Sequence, residues 1–168
     1  MSSGIKMVSY YNEKLYLSIL APEEWEGQQV NNQAFRLLGE VEKIHEDFFE
    51  EYRVNINFEK RKGTISGENW FKTFVEKNNE AMRTTYAQYE LLEEENFTLD
   101  INSAYRKLYT WVEPETKFKI YQEQALITDS IDTVYVVTAS VLEGLEKKYL
   151  PLFVDVIKSI RIIPQKIS

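Results

Sequence analysis

The 168-residue chain has no cysteine, one histidine and six glycines. Without cysteine there is no disulfide framework, no thiolate metal ligand and no cysteine nucleophile. The one imidazole, His45, is the only base that a Ser–His–Asp triad would have, and no Gly-x-Ser-x-Gly elbow accompanies it. Its neighbours Glu42, Glu46 and Asp47 would make a poor zinc site, because zinc takes several defined nitrogen or sulfur ligands. A solvated charge run is the simpler reading of that stretch. The glycines form neither Gly-x-x-x-x-Gly-Lys nor Gly-x-Gly-x-x-Gly, so no phosphate-cradling loop is encoded. Carboxylate pairs are plentiful but fall in runs, such as Glu23-Glu24, Glu50-Glu51 and Glu93-Glu94-Glu95. A glycosidase pair instead comes from separate elements facing across a cleft. No apolar stretch approaches the ~18 residues of a spanning helix, so direct membrane insertion is not expected. Residues Met1 to Tyr11 lack the basic and apolar regions of a signal peptide, which gives a cytoplasmic expectation. A net charge of −7 repels phosphate backbones and disfavours nucleic acid as a partner. No catalytic residue, metal or cofactor is expected.

What is present is an ordinary globular balance, 43% hydrophobic and 28% charged, which suits one domain over residues 1–168. Aromatics stand out, with eleven Tyr, nine Phe and three Trp. They either fill a core or supply a recognition surface. Alternation marks the strands. Leu15 to Leu20 is one, ended by Ala21-Pro22, and Ala34 to Leu38 is a shorter one ending at Gly39. Acidic residues 40–51 read as a solvated loop or helical turn. Tyr52, Val54, Ile56 and Phe58 alternate with polar residues in a third strand, and Glu59 to Gly63 reads as a turn. Ser66 or Gly67 would then cap a helix from Glu68 to about Tyr86, with Phe71, Phe74, Val75, Ala81, Met82 and Thr85 on one face.

Four strands follow, over Gln88 to Leu99, Ala104 to Val112, Lys117 to Thr128 and Thr133 to Val141. The short turns between them imply antiparallel pairing. The last is apolar on both faces and is expected at the centre of the sheet. A closing helix carries Leu145, Tyr149, Leu152, Phe153, Val156, Ile157 and Ile160. Its Pro151 fits a start near Leu150 after a separate turn at Glu143 to Tyr149, the alternative being a kink in a longer helix. Tyr105, Tyr109 and Trp111 share one face of one strand, and any partner-binding surface is expected there. The alternative is that a helix covers the stripe.

Several local features carry a family resemblance. Leu17 to Trp25 (LSILAPEEW) resembles a first strand running into Pro-x-x-Trp. Gly67-Glu68-Asn69-Trp70-Phe71 opens a long helix. Val134 to Val141, Tyr149 to Phe153 and Ile157 to Arg161 resemble a last strand and closing helix. Together they resemble the Mog1/PsbP-like proteins, including the bacterial DUF1795/DcrB-type proteins, over a core of about residues 15–163. The resemblance implies an α+β fold, an antiparallel sheet of about six to seven strands flanked by helices. It implies a non-enzymatic adaptor, accessory subunit or effector chaperone whose partner is another protein. The competing class is a small hydrophobic-ligand or lipid-binding α+β domain, which would enclose an apolar cavity where an adaptor shows a filled core and an exposed patch.

Overall fold

The computed structural model describes residues 5–43, 52–63, 67, 69–129 and 131–164. His45 and the acidic residues 44–51 lie outside that set. The described chain forms ten strands and two helices in two antiparallel sheets. The larger sheet has seven strands: β3 (Glu26–Asn31), β4 (Ala34–Glu42), β5 (Tyr52–Lys62), β6 (Glu90–Leu99), β7 (Asn102–Val112), β8 (Lys119–Thr128) and β9 (Thr133–Leu142). Their spatial order is β3-β4-β5-β9-β8-β7-β6. Strands β6 to β9 form the expected meander, and β9 sits at the centre. Val137 pairs with Phe58 on one side and Ala125 on the other. The smaller sheet has the order β1-β2-β10, from β1 (Met7–Asn12), β2 (Leu17–Pro22) and β10 (Arg161–Ile162).

Helix α1 (Trp70–Thr85) covers one face of the large sheet. Helix α2 (Glu146–Ser159) and the small sheet cover the other. The main core lies on that second side, where Leu17 and Ile19 of β2 and Phe153 and Val156 of α2 meet Phe58, Ile127 and Val137. A smaller cluster lies under α1, where Trp70, Phe71, Phe74 and Val75 rest on Tyr105, Leu126, Val134 and Val136. The architecture is the α+β one expected, with the small sheet as an additional cover beside α2.

Local departures have physical causes. Strands β1, β3 and β10 are not read from the sequence. Strand β3 is almost wholly exposed, β1 is only partly buried, and β10 is two residues long, so none shows a buried alternation. Strand β2 starts at Leu17 because Tyr16 turns with φ 58° and the Asn12 Oδ1 accepts from the amides of Lys14 and Leu15. Strand β4 runs through Gly39 to Glu42. Gly39 does not end it but lets the backbone approach Val54, whose Cγ2 would lie 2.5 Å from an added Cβ. Glu40 to Glu42 are therefore strand, and Lys60-Arg61-Lys62 continue β5 where a turn was expected.

The helices depart too. Helix α1 begins at Trp70, with Asn69 in the N-cap position and no side-chain cap, and its Ala81 and Thr85 face water. Helix α2 starts at Glu146, not near Leu150, and takes Pro151 inside. Pro151 is exposed, so the carbonyl it leaves without a donor is on the wet side, while Tyr149, Leu152, Phe153, Val156 and Ile157 stay buried. Among the described residues no helix is long and apolar enough to cross a membrane.

Phe153 is fully buried and stacks on Tyr149 at 6.2 Å. Phe153→Ala should destabilise the domain by ~3–5 kcal/mol, read from urea denaturation midpoints. A midpoint equal to the parent's would refute the placement of α2.

Candidate functional site

Alternation along β7 turns Tyr105, Lys107, Tyr109 and Trp111 toward α1. The aromatic stripe is brought together as expected, but it is not an open surface. Tyr105 is 4% exposed, with α1 over it, and Tyr109 not at all, with Tyr86 and Tyr89 from the segment after α1 against its ring; Trp111 alone keeps partial exposure. The first half of α1 makes the dry contact described above. Its second half is polar and aromatic. The Asn78 amide donates to Gln124 Oε1 at 2.7 Å, and the Asn79 amide donates to the Tyr105 hydroxyl at 3.0 Å. That hydroxyl in turn donates to Glu94 Oε2 at 2.5 Å. Beyond the helix end, Tyr86 stacks on Trp111 at 4.7 Å, and Tyr89 lies 5.3 Å from Tyr109. Burial raises the Tyr105 and Tyr109 pKa values, so both remain neutral phenols.

Lys107 sits inside this aromatic group and is fully buried. Its Nζ donates to the Tyr89 hydroxyl at 2.9 Å and lies 5.1 and 4.9 Å from the ring centroids of Tyr89 and Tyr109. No carboxylate among the described residues forms an ion pair with it. Burial lowers its pKa to about 8, against a smaller opposing pull from Glu94. The sequence reading passed over Lys107. The signal was its parity, two residues from each tyrosine of the stripe.

The other face of β7 carries a second buried cation. Arg106 holds both oxygens of buried Glu123 through Nη1, each at 3.0 Å, donates from Nε to Glu95 at 2.7 Å, and reaches Glu93 through Nη2. Lys158 of α2 also reaches Glu95, at 2.8 Å, and so ties α2 to β6. Burial pushes the Glu123 carboxyl up, and the paired guanidinium draws it back toward the ionised form.

Between α1 and the β6–β7 edge runs a groove of about 640 Å³. Phe71, Val75 and Tyr105 give it an apolar wall, and Lys72, Glu76 and Glu94 line its rim. It is open to solvent rather than enclosed. Among the described residues strand β6 ends the sheet, so its outer edge has no strand partner there. Its register slips between Leu91 and Glu93, and Leu91 and Leu92 are 43% and 46% exposed. Among the described residues no group of three acidic or histidine side chains is placed to hold a metal ion.

Two stability predictions follow from the buried cations. Arg106→Met strands Glu123 in the interior beside Glu93 and Glu95 and should cost ~3–5 kcal/mol by urea denaturation. Lys107→Met removes a buried ammonium. An ordinary lysine titrates near 10.5 and Lys107 near 8, so between these values the unfolded chain binds the extra proton. This group's contribution to stability therefore rises as pH climbs from about 8 to 10.5 and is flat below 8. The stability of Lys107→Met relative to the parent should be greatest below pH 8 and decline toward 10.5. A difference that does not change with pH would refute the charged, desolvated lysine.

No family model matches the chain, and no curated protein matches its sequence. Solved structures do match. The Ran-binding protein Mog1p of Saccharomyces cerevisiae superposes with a TM-score of 0.64 at 13% identity, over 95% of this chain and 97% of that one. CyanoP, the cyanobacterial PsbP of Synechocystis sp. PCC 6803, gives 0.61 at 17% identity, over 96% of each chain. LpqN, involved in cell envelope biogenesis in Mycobacterium tuberculosis, gives 0.60 at 12% identity, over 96% and 93%. At these identities the likeness is one of fold, and the fold of this chain is Mog1/PsbP-like.

Proposed function

We propose that the protein is a non-enzymatic protein-binding domain of the DUF1795/DcrB type, serving as an adaptor, accessory subunit or effector chaperone. The observation that carries the reading is the contrast between the two covers of the sheet. The side under α2 is filled, whereas the side under α1 ends in an apolar-walled groove continuous with an unpaired strand edge. Exposed apolar side chains beside a groove are what a partner surface requires. The groove also has a ligand-like volume, within the ~300–1,000 Å³ of small-molecule sites, and this favours the second reading, an apolar-ligand binder. Against that reading, the groove is open and has Glu76, Glu94 and Lys72 at its rim.

Val75→Arg places a charge in the groove wall on a half-buried helix position. Immobilised parent protein should retain a stoichiometric protein partner from a lysate of the source organism. Val75→Arg should bind that partner at least about tenfold more weakly, ~1.4 kcal/mol, while its circular dichroism matches the parent. If mass spectrometry of the denatured parent instead releases one apolar small molecule per chain, lost in Val75→Arg, the ligand reading replaces this one. Retention of neither protein nor ligand overturns both.

A further inference from the structure

We propose that β6 is the docking edge for an extended segment of a partner protein in which basic and large apolar side chains alternate, added to the large sheet as an eighth strand. The inference rests on the protein-binding reading and names the surface and the chemistry of its occupant. Strand β6 is at the end of the sheet, so its outward N–H and C=O groups form a pairing template. Its residues Glu90, Glu93, Glu94 and Glu95 include no compensating base within the strand. A second copy of β6 laid against the first would bring these carboxylates together, which disfavours self-pairing. The same charges favour a basic strand.

Register fixes which side of that strand is basic. Glu93 and Glu95 pair across from Leu108 and Arg106 and so point to the α2 face, whereas Glu94 and Asn96 pair across from Lys107 and Tyr105 and point to the α1 face. On the α2 face, Glu93, Glu95 and Glu123 share two cations, Arg106 and Lys158, so one negative charge remains unbalanced. Glu93 is open to a further cation, its side chain being 55% exposed. On the α1 face lies the groove, walled by Phe71, Val75 and Tyr105. A strand added beside Glu93 to Leu99 sends alternate side chains to these two faces. Basic residues meet the carboxylates on one, and apolar residues enter the groove on the other. The register slip between Leu91 and Glu93 sets the limit of pairing at the N-terminal end of β6.

The test uses the full chain and a synthetic peptide of alternating lysine and valine. Controls are the same peptide N-methylated at alternate backbone nitrogens, and an alternating glutamate–valine peptide. The lysine–valine peptide should bind by calorimetry and slow exchange of the outward amides within Glu93 to Leu99 at least about tenfold. The N-methylated and acidic peptides should do neither, and Glu93→Gln with Val75→Arg, one change on each face, should weaken binding at least about tenfold. Equal binding of the N-methylated peptide, or protection at another edge such as β3, overturns the proposal. So does a dimer of the chain alone, seen by sedimentation, whose β6 amides are already protected. A native partner captured by the parent and equally by Glu93→Gln with Val75→Arg would also overturn this edge, while leaving protein binding in place.

Discussion

Val134 and Val136 on one face of β9, and Tyr135, Val137, Ala139 and Val141 on the other, are all withdrawn from water. A strand dry on both faces has to lie inside its sheet, with a layer against each side. At about 1.5–3 kcal/mol for each large apolar side chain, that double burial is the largest local commitment the chain makes. It places β5 and β8 on either edge of β9, α2 against Val137 and Ala139, and α1 against Val134 and Val136. Burial then falls away on both flanks, through β4 to the exposed β3 and through β7 to the acidic β6.

The two layers are unequal. Beneath α2 the small sheet helps close the core, and the only charges buried there among the described residues, Arg106 and Glu123, satisfy each other. Beneath α1 a single helix faces the sheet. Its dry contact ends near Val75, and beyond it amides and phenols take over. The hydroxyl of Tyr109, Nε1 of Trp111 and Oε1 of Gln122 are buried there without a hydrogen-bond partner among the described residues. Each such group costs about 1–3 kcal/mol, so the α1 layer is the weaker of the two. A layer held by few apolar contacts is the one able to adjust to a partner, which places the groove on the adaptable side of the domain.

The parts of the fold legible in the sequence are those that β9 commands. Alternation over Tyr52 to Phe58, the two-faced run of β9 and the stripe of α2 each report burial directly, and each corresponds to its element. Strands β1 and β3 were not legible because they bury little, and Gly39 misled because a glycine chosen for contact with Val54 looks like one chosen for a turn. At the candidate site the stripe of Tyr105, Tyr109 and Trp111 was legible as a shared face but not as a covered one. Periodicity tells which residues point the same way, whereas the cover over them comes from α1 and from Tyr86 and Tyr89 after it, a distant segment. Lys107 and Arg106 were passed over because a charged residue in a strand is ordinarily read as solvent-facing. Their burial depends on partners distant in sequence, Tyr89 before β6 and Glu123 on β8, that no local pattern links to them.

The same division explains why a fold shared at 12–17% identity carries so little about partners. Two-sided burial of a central strand is met by many combinations of Val, Ile, Ala and Tyr, so the architecture persists while its residues change. Nothing in that requirement reaches the ends of the sheet. A glutamate at position 94 neither helps nor hinders the packing of Val137. The exposed residues of β6 outside the Arg106 network, and those of the rim of α1, are thus free of the constraint that maintains the fold, and it is there that a binding specificity is written onto a common framework. Mog1p and CyanoP therefore inform the reading of β9, whereas the reading of β6 has to rest on its own carboxylates, its open edge and the groove beside it.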